Sequence, residues 1–316
     1  MDAPKIIQLP QIKEALKSVD LFKDIEEGFM AYSKGEAVIP PVGEMIFEDP
    51  PGDLHIKYGY LKSGPYYVVK LASGFYKNPE IGLSSSQGMM LLFDKKTGVI
   101  KGVLLDHGYL TDIRTAAAGA ISAKYFAPKN LSCIGIVGTG IQGKFQLEYL
   151  ESVVACRKVL VYARSEEKGK AYLNYFKDSN WQIEITQDLT YLAKESRLIV
   201  TTTPAKAPLL EAGWIQPGTH ITAMGSDTTE KIELATQILG DADIVVVDSL
   251  SQSESRGEVY QAVRAGTIRR NQVVELGQAI SNLEFCRKTE DQITIADLTG
   301  VAVQDLMIAK AVYEGV

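Results

Sequence analysis

Cysteine and histidine are both scarce in this chain of 316 residues. The three cysteines are Cys133, Cys156 and Cys286, and no two of them form a Cys-x-x-Cys pair. We therefore expect small buried thiols in a reducing compartment. The three histidines lie far apart and lack the spacing of metal ligands, so no metal site is predicted. His220 follows a Pro-Gly turn, where a structural role is expected, whereas His107 is either a polar loop residue or a site residue.

Long apolar runs and an excess of basic residues are also lacking. The chain has 33 Lys and Arg against 39 Asp and Glu, a formal net charge of −6. This balance argues against nucleic acid or an anionic membrane as the main partner, because both favour a basic surface. The chain has no apolar run of about 18 residues that could span a bilayer, and its first residues do not resemble a secretory signal. We expect a cytoplasmic protein with no membrane partner.

The first third of the chain predicts two helices followed by short strands. Apolar residues recur at helical spacing over residues 9–35, with a second helix over Leu21–Lys34. Five β-rich segments follow, and no helix-length segment separates them, which favours a mainly antiparallel sheet. The predicted strands are Glu44–Phe47, Leu54–Tyr60, Tyr66–Leu71, Gly88–Phe93 and Ile100–Leu105.

The remainder of the chain has a different rhythm. A helix is predicted from Thr111, a candidate N-cap, to Phe126. Strands then alternate with helices, which predicts an α/β domain with a parallel, doubly wound sheet. Residues 294–316 are interpreted as a loop and a helix over Val303–Tyr313. The predicted strands are Cys133–Val137, Lys158–Tyr162, Ile183–Ile185, Leu198–Thr202, His220–Ala223 and Ile244–Val247.

A glycine-rich loop joins the first of these strands to the helix after it. Gly138 allows a tight turn, Gly140 lets the backbone approach a pyrophosphate, and Gly143 allows the helix to pack closely on the strand. Free N–H groups at the helix N-terminus favour phosphate. The sequence therefore predicts a Rossmann-type domain that binds a nicotinamide dinucleotide. The loop reads Gly138-Thr139-Gly140-Ile141-Gln142-Gly143.

The next strand ends without the acidic residue that NAD enzymes place about 20 residues past the loop, on the ribose 2′-hydroxyl. The tip has Ala163 in that region, followed by Arg164 and Ser165. These two residues, with charge added by Lys168, suit a 2′-phosphate. The pattern favours NADP(H); NAD(H) is the alternative if Arg164 is only solvated. The segment Thr202-Thr203-Pro204, after a later strand, is placed to contact ribose or nicotinamide.

Several segments together resemble the ornithine cyclodeaminase/μ-crystallin family, collinearly over nearly the whole chain. The combination of the Arg-Thr-Ala-Ala, Gly-Ser-Asp and Thr-Gly-Val patterns carries most of the resemblance. The segments are Tyr67–Leu71, Gln87–Asp94, Leu110–Ala117, Gly135–Gly140, Ala223–Asp227 and Leu298–Asp305.

The resemblance implies a division into two domains. Residues 1–116, with 303–316 returning, would form an α+β substrate-binding and dimerisation domain with an antiparallel sheet. Residues 117–302 would form the Rossmann domain. Family members are typically homodimers that join their antiparallel sheets, so the resemblance also implies a homodimer.

The resemblance implies roles for individual side chains. Arg114 matches the arginine that grips the substrate α-carboxylate, and Lys70 matches a lysine near the same carboxylate. Asp227 matches the catalytic aspartate, which with Lys70 makes the catalytic pair, although Asp227 could also cap a helix over Thr228–Thr236. The positions that match cofactor contacts are Thr115, Thr202, Met224, Gly225, Ser226 and Val301.

The chain departs from the family where many members have an arginine directly after the proline pair. Here Pro40-Pro41 is followed by Val42-Gly43-Glu44. The segments Asn78–Leu83 and Asp106–Asp112 are more similar to the ectoine-utilisation and imino-acid-reductase branch. The first hypothesis is therefore an NAD(P)H-dependent reductase of small α-imino acids. The alternatives are a cyclodeaminase that acts on ornithine with bound NAD, and a non-catalytic NADP-binding protein.

Overall fold

Helices and strands follow one another in two different patterns along the chain. The computed structural model describes residues 3–75 and 77–316. Its first elements are β1 (Lys5–Gln8), α1 (Leu9–Leu16), α2 (Leu21–Ser33), β2 (Ala37–Val38), β3 (Gly43–Phe47), β4 (Gly52–Leu61), β5 (Tyr66–Phe75), β6 (Ser86–Asp94), β7 (Ile100–Leu105) and α3 (Tyr109–Phe126).

The second pattern begins after α3. Its elements are β8 (Ile134–Val137), α4 (Ile141–Leu150), β9 (Lys158–Tyr162), α5 (Glu166–Tyr175), β10 (Gln182–Thr186), α6 (Leu189–Glu195), β11 (Leu198–Thr201), β12 (Lys206–Leu210), β13 (His220–Ala223), β14 (Ile232–Leu234), α7 (Thr236–Gly240), β15 (Ile244–Val247), α8 (Glu258–Arg264), β16 (Val273–Glu275), α9 (Leu276–Ser281), β17 (Thr294–Asp297) and α10 (Ala302–Glu314). Short 3-10 helices lie at Asn78–Ile81, Ala212–Trp214, Gln252–Glu254, Arg270–Gln272 and Leu283–Phe285.

The elements form two units. The first comprises the chain up to Arg114 together with Val301–Val316, and the second comprises Thr115–Gly300. The chain therefore returns to its first unit through α10.

The first unit is built on one mixed sheet with the order β1-β7-β6-β5-β4-β2, and β3 pairs with β4. Its pairs are antiparallel except for β1 on β7. Lys57, Lys70, Met90 and Leu104 are cross-strand neighbours on one buried face. Helix α10 packs against β4, β5 and β6, so it covers this face. A buried row that contains two lysines requires counter-charges nearby.

The second unit is built on a parallel sheet with the order β10-β9-β8-β11-β13-β17-β15-β16. Successive residues of β9 belong to different apolar clusters, with Val159 and Val161 in one and Leu160 in the other. Since neighbouring strand residues point to opposite faces, both faces of the sheet are covered. The chain runs from β8 to β9 on one side and reaches β11 on the other, so the strand order reverses at β8. This doubly wound sheet and the separate antiparallel sheet confirm the predicted fold class.

Helix α3 begins earlier than predicted, and the choice of Thr111 as its N-cap is wrong. The helix starts at Tyr109. The Asp106 carboxylate accepts a hydrogen bond from the Leu110 backbone N–H at 2.8 Å, and the Asp106 carbonyl accepts one from the Tyr109 N–H at 3.0 Å. Asp106 therefore caps the helix from three residues upstream, across His107 and Gly108, which both have positive φ.

Two further predictions in the second unit are wrong. Residues 294–297, interpreted as loop, form β17 between β13 and β15. The strand is short and begins and ends with polar residues, so it lacks the apolar pattern of a buried strand. Thr294 and Asp297 are nevertheless fully buried, and internal hydrogen bonds satisfy them. The helix over Thr228–Thr236 does not form, because β14 occupies Ile232–Leu234 and pairs with β12.

Two strands of the first unit, β1 and β2, were not predicted. β1 pairs in parallel with β7 from Lys5 opposite Gly102 to Gln8 opposite Leu105. β2 comprises only Ala37–Val38. Such short segments have no periodicity that distinguishes them from coil, and their pairing comes from the tertiary fold.

Candidate functional site

The glycine loop lies at the point where the order of the parallel strands reverses. Gly138 has φ 124°, a backbone conformation that favours glycine. A Cβ at Gly143 would lie 2.1 Å from the Gly138 carbonyl oxygen, so no larger side chain fits. A Cβ at Gly140 would meet no atom within 4 Å, so the loop faces open space there. No side chain caps the start of α4, which leaves its backbone N–H groups directed at that space.

A cavity of about 400 Å³ opens in front of this loop. It brings together many of the residues predicted to bind cofactor, including the basic side chains of Arg164 and Lys168 and the hydroxyl groups of Thr139, Thr202 and Thr203. Its lining residues are Gly138, Thr139, Gly140, Tyr162, Arg164, Lys168, Ala171, Thr202, Thr203, Pro204, Ala205 and Leu209. No carboxylate is among these lining residues.

Other predicted cofactor residues lie close to the loop without lining the cavity. Ala163 is buried at the end of β9. Ser165 is the N-cap of α5, and its hydroxyl accepts a hydrogen bond from the Lys168 N–H at 3.4 Å. Ile141 and Gln142 form the first turn of α4. The Thr115 carbonyl accepts a hydrogen bond from the Gln146 amide at 3.1 Å.

Glu233 connects two loops at the carboxyl ends of β11 and β13, and sequence reasoning missed it. Its Oε1 accepts hydrogen bonds from the Thr203 backbone N–H at 2.6 Å and the Thr203 hydroxyl at 2.8 Å. Its Oε2 accepts them from the Thr201 hydroxyl at 2.7 Å and the Gly225 N–H at 2.8 Å. Burial raises the pKa of Glu233, while these hydrogen bonds act to lower it. The residue lies inside a segment that was interpreted as a helix, which concealed its role.

Asp227, the predicted catalytic aspartate, lies on the loop after β13. Its Oδ1 accepts a hydrogen bond from the Lys231 ammonium at 2.6 Å, and its side chain is 48% exposed. The Ser226 hydroxyl donates to the Lys231 carbonyl at 2.6 Å, which closes the loop upon itself. The carboxylate is therefore held in place and still open to a small molecule.

The first unit contains a buried cluster of charges built around Asp305. The Asp305 carboxylate lies 3.0 Å from the Lys70 ammonium and 3.1 Å from Nε of Arg114. Arg114 Nη1 also donates to the Gln304 amide oxygen at 2.9 Å. Asp305 is fully buried, and Lys70 and Arg114 are 2% and 5% exposed. The predicted pair Lys70 and Arg114 thus lies together, on β5 and α3, with one shared carboxylate from α10.

Burial and charge act in opposite directions within this cluster. Burial lowers the pKa of Lys70 from its usual 10.5 to about 7, while Asp305 acts to raise it. Burial would raise the pKa of Asp305, but the positive charges of Lys70, Arg114 and Lys57 bring it below its ordinary value. Asp305 is therefore ionised at neutral pH, and the protonation of Lys70 is sensitive to any anion that binds nearby.

Lys57 and Asp305 are members of this neighbourhood that had no predicted role. Lys57 is directly opposite Lys70 in the β4–β5 pair and is 8% exposed. The sequence could have indicated its burial, because Lys57 is two residues from the buried Gly59 and therefore lies on the same face of β4. Asp305 stood within an apolar helix, and an acid in that position is a recognisable sign of a buried ion pair.

The histidines differ in their surroundings. His220, expected to be structural, is fully buried and its pKa is lowered to about 3, first by burial and then by Arg287. Its ring contacts the hydroxyl groups of Ser122 and Thr294 at 3.2 and 2.8 Å. His107 has φ 54° and lies 3.4 Å from the Gln87 side-chain oxygen.

Residues 3–75 and 77–316 contain neither a metal-binding cluster nor a membrane-spanning helix. No group of three or more His, Cys, Asp or Glu side chains is arranged to hold a metal ion. No helix there has the length and apolar character needed to cross a membrane.

The reversed strand order, the glycine loop at the reversal and the cavity in front of it define a Rossmann-type nucleotide-binding fold. The chain belongs to the ornithine cyclodeaminase/mu-crystallin family, whose sequence model matches residues 3–316. An uncharacterized cyclodeaminase, y4tK, of Sinorhizobium fredii is 37% identical over 318 residues, which cover 99% of this chain and 96% of the relative.

Two solved structures are similar in both sequence and fold. An archaeal alanine dehydrogenase dimer with bound NAD has a TM-score of 0.90 and 34% identity, covering 99% of this chain and 95% of that one. The iminosuccinate reductase of Paracoccus denitrificans in complex with NAD+ has a TM-score of 0.88 and 31% identity, covering 99% and 96%. A dehydrogenase and a reductase therefore resemble this chain over nearly its full length.

Proposed function

We propose that the protein is an NAD(P)H-dependent oxidoreductase that interconverts small α-imino acids and α-amino acids. The observation that carries the proposal is the buried cluster of Lys70, Arg114 and Asp305, in a chain whose other unit has a dinucleotide-type cavity. We infer that the first unit binds substrate and that the second binds the cofactor. Two solved relatives have bound NAD, which supports a nicotinamide cofactor for this chain.

The second unit has the features that a dinucleotide requires. The open space at Gly140 and the uncapped start of α4 suit a pyrophosphate. The Thr202-Thr203-Pro204 segment and the loop of Met224, Gly225 and Ser226 would hold the nicotinamide half. The bound nicotinamide would supply or accept the hydride.

The first unit supplies cations for a substrate carboxylate. The Arg114 guanidinium can donate two parallel hydrogen bonds to a carboxylate, and Lys70 adds a compact charge. Asp305 orients both side chains through contacts of 3.0–3.1 Å. Lys57, opposite Lys70, would add a third cation where the usual arginine after the proline pair is replaced by Val42.

Asp227 would stabilise the protonated form of the substrate nitrogen. A protonated imine accepts a hydride far more readily than a neutral one, and a carboxylate stabilises that cation. The contact with Lys231 holds Asp227 in one orientation. In the oxidative direction the same carboxylate would accept the proton from the amino group.

Two basic side chains of the cavity support a preference for NADP(H). Arg164, just after β9, and Lys168 both line it, and none of its lining residues is a carboxylate. NAD(H) remains the alternative cofactor, since both solved relatives hold NAD.

The outer face of the antiparallel sheet supports a homodimer. Tyr58, Tyr60, Tyr67 and Val69 alternate with the buried face and line an apolar groove of about 600 Å³. The archaeal relative is a dimer. We propose that two copies of the chain join through this face.

Cyclodeaminase activity on ornithine is the alternative function, since the relative y4tK is named an uncharacterized cyclodeaminase. Ornithine has a second amino group, which would need an acidic partner beside the carboxylate grip. The acid beside Lys70 and Arg114 is Asp305, which already contacts both of these cations, and the buried side chain opposite Lys70 is another lysine. This environment suits a substrate with an acidic or apolar side chain.

The test is a comparison of two reactions with the purified protein. Keto acids with ammonia or methylamine are mixed with NADPH or NADH, and ornithine is mixed with NAD+ or NADP+. Oxidation of the reduced cofactor that is lost in Asp227→Asn, while NADPH affinity is kept, is the expected result. Equal turnover by Asp227→Asn would show that the catalytic assignment is wrong. Cofactor binding without any turnover would favour a non-catalytic protein.

A further inference from the structure

We propose that Glu233 is a positioning residue that fixes the nicotinamide-binding loops of the second unit. The inference rests on the proposed dinucleotide function and names a residue that acts on it. Glu233 does not line the cavity; its four hydrogen bonds go to Thr201 at the end of β11, and to Thr203 and Gly225 in the loops after β11 and β13.

The four donors come from the ends of two neighbouring parallel strands. Thr201 is the last residue of β11 and Thr203 lies two residues beyond, while Gly225 lies two residues beyond β13. β11 and β13 pair from Leu198 opposite His220 to Thr201 opposite Ala223. Beyond those last paired residues, the Met224 N–H still donates to the Thr201 carbonyl at 3.0 Å, and the carboxylate then joins Thr203 to Gly225, so it sets the distance between the two loops.

Only a carboxylate satisfies this set of partners. All four partners donate, and an ionised carboxylate accepts at both oxygens. A glutamine would place an N–H₂ group against the N–H of either Thr203 or Gly225, and that contact cannot be a hydrogen bond. A leucine would leave two buried backbone N–H groups without an acceptor.

Glu233 is itself rigidly held. It lies in the middle of β14, between Ile232 and Leu234, which are opposite Lys206 and Leu210 of β12 with a shift of register between them. Its backbone N–H and that of Leu234 donate to the buried Glu258 carboxylate at 2.7 and 3.2 Å. A fixed backbone and four side-chain hydrogen bonds leave the carboxylate one position, which the loops must follow.

The strand order indicates which half of the cofactor depends on this residue. A dinucleotide lies across the reversal point of a doubly wound sheet, with one nucleotide on each side. Arg164 follows β9, on one side of β8, whereas the loops bound by Glu233 follow β11 and β13, on the other side. Because the 2′ position of the adenosine ribose belongs at the tip of β9, Glu233 serves the nicotinamide half.

The experiment compares a whole dinucleotide with a fragment that lacks nicotinamide. Dissociation constants for NADPH and for 2′,5′-ADP are measured by calorimetry on wild type, Glu233→Gln and the control His220→Gln, and thermal unfolding is followed in parallel. His220 lies at the amino end of β13, away from both loops, so its variant reports lost stability alone. We expect Glu233→Gln to weaken NADPH binding by on the order of 10- to 100-fold, with 2′,5′-ADP binding unchanged.

Each outcome has a defined meaning. Equal weakening of both ligands, or no weakening of either, overturns the positioning role. The same NADPH-specific loss in His220→Gln also overturns it, because lost stability would then be a sufficient cause. If Glu233→Gln does not fold, Thr201→Val removes one donor to the same carboxylate and should give a smaller loss of the same pattern; an unchanged NADPH affinity in that variant contradicts the proposal. A wild-type protein that binds neither of these ligands nor NADH refutes the proposed function itself; if it binds NADH alone, the same comparison is made with NADH and ADP.

Discussion

Replacement of Asp305 by asparagine tests how the buried charge cluster is balanced. The substitution keeps the shape of the side chain and removes its charge, which leaves Lys70 and Arg114 buried beside an amide. Both cations lie 3.0–3.1 Å from the carboxylate and are almost fully buried. Water therefore cannot solvate them in place of the lost negative charge. Breaking a buried pair by removing one partner costs about 3–5 kcal/mol, and we expect a loss of that size in the first unit.

The measurement must follow the first unit alone. Trp181 and Trp214, the two tryptophans of the chain, both lie in the second unit, so their fluorescence does not report on unfolding of the first unit. Native-state hydrogen exchange of peptides from β5 and α10 reports on the first unit directly. The matched control is the double variant Asp305→Asn/Lys70→Met, which removes one cation with the carboxylate and should regain much of the protection. A loss below about 1 kcal/mol in Asp305→Asn, or a double variant less stable than the single one, would refute the reasoning.

Three further predictions concern ligand binding. Arg164→Ala should reduce the preference for NADPH over NADH by about 10- to 100-fold in kcat/KM, because a charge-assisted bond to the 2′-phosphate is lost; an unchanged ratio means that Arg164 is only solvated. The pKa of Lys70 is about 7, below its usual 10.5, so the lysine loses its proton as pH rises through that value. The Kd of propionate should then increase with pH above about 7, and Lys70→Arg should abolish this dependence; an identical pH profile in the variant contradicts the assignment. Lys57→Met should raise KM more for the imine of oxaloacetate than for that of pyruvate, and an equal rise would mean that Lys57 serves only the shared carboxylate.

Much of the second unit could be predicted because its signals are local. The glycine loop requires a particular backbone at Gly138 and close packing at Gly143, and both requirements are visible in the residue types. The strands on either side are continuous apolar runs, as buried parallel strands must be. β16 and β17 are exceptions: β16 has only three residues, and the polar residues Thr294 and Asp297 of β17 are satisfied largely by partners distant in the chain.

The candidate site was predicted less completely, for a related reason. Lys70 and Arg114 were found through the family resemblance, but their shared counter-ion Asp305 comes from the last helix, more than half the chain away. Glu233 lies within Thr228–Thr236, a segment that was considered as a helix capped by Asp227. The role of a buried acid can be inferred only when its hydrogen-bond donors are known. The donors to Glu233 include Thr201 and Gly225, which follow or end other strands of the sheet.

The direction in which the hydride moves tests the central claim most directly. NADPH or NADH carrying deuterium at the transferable C4 position is supplied with a keto acid and ammonia, and the amino acid formed is examined by NMR and mass spectrometry. We predict one deuterium at Cα of the product for each cofactor oxidised. Release of ammonia from ornithine without net oxidation or reduction of the cofactor, and no deuterated amino acid from any keto acid, would contradict the account.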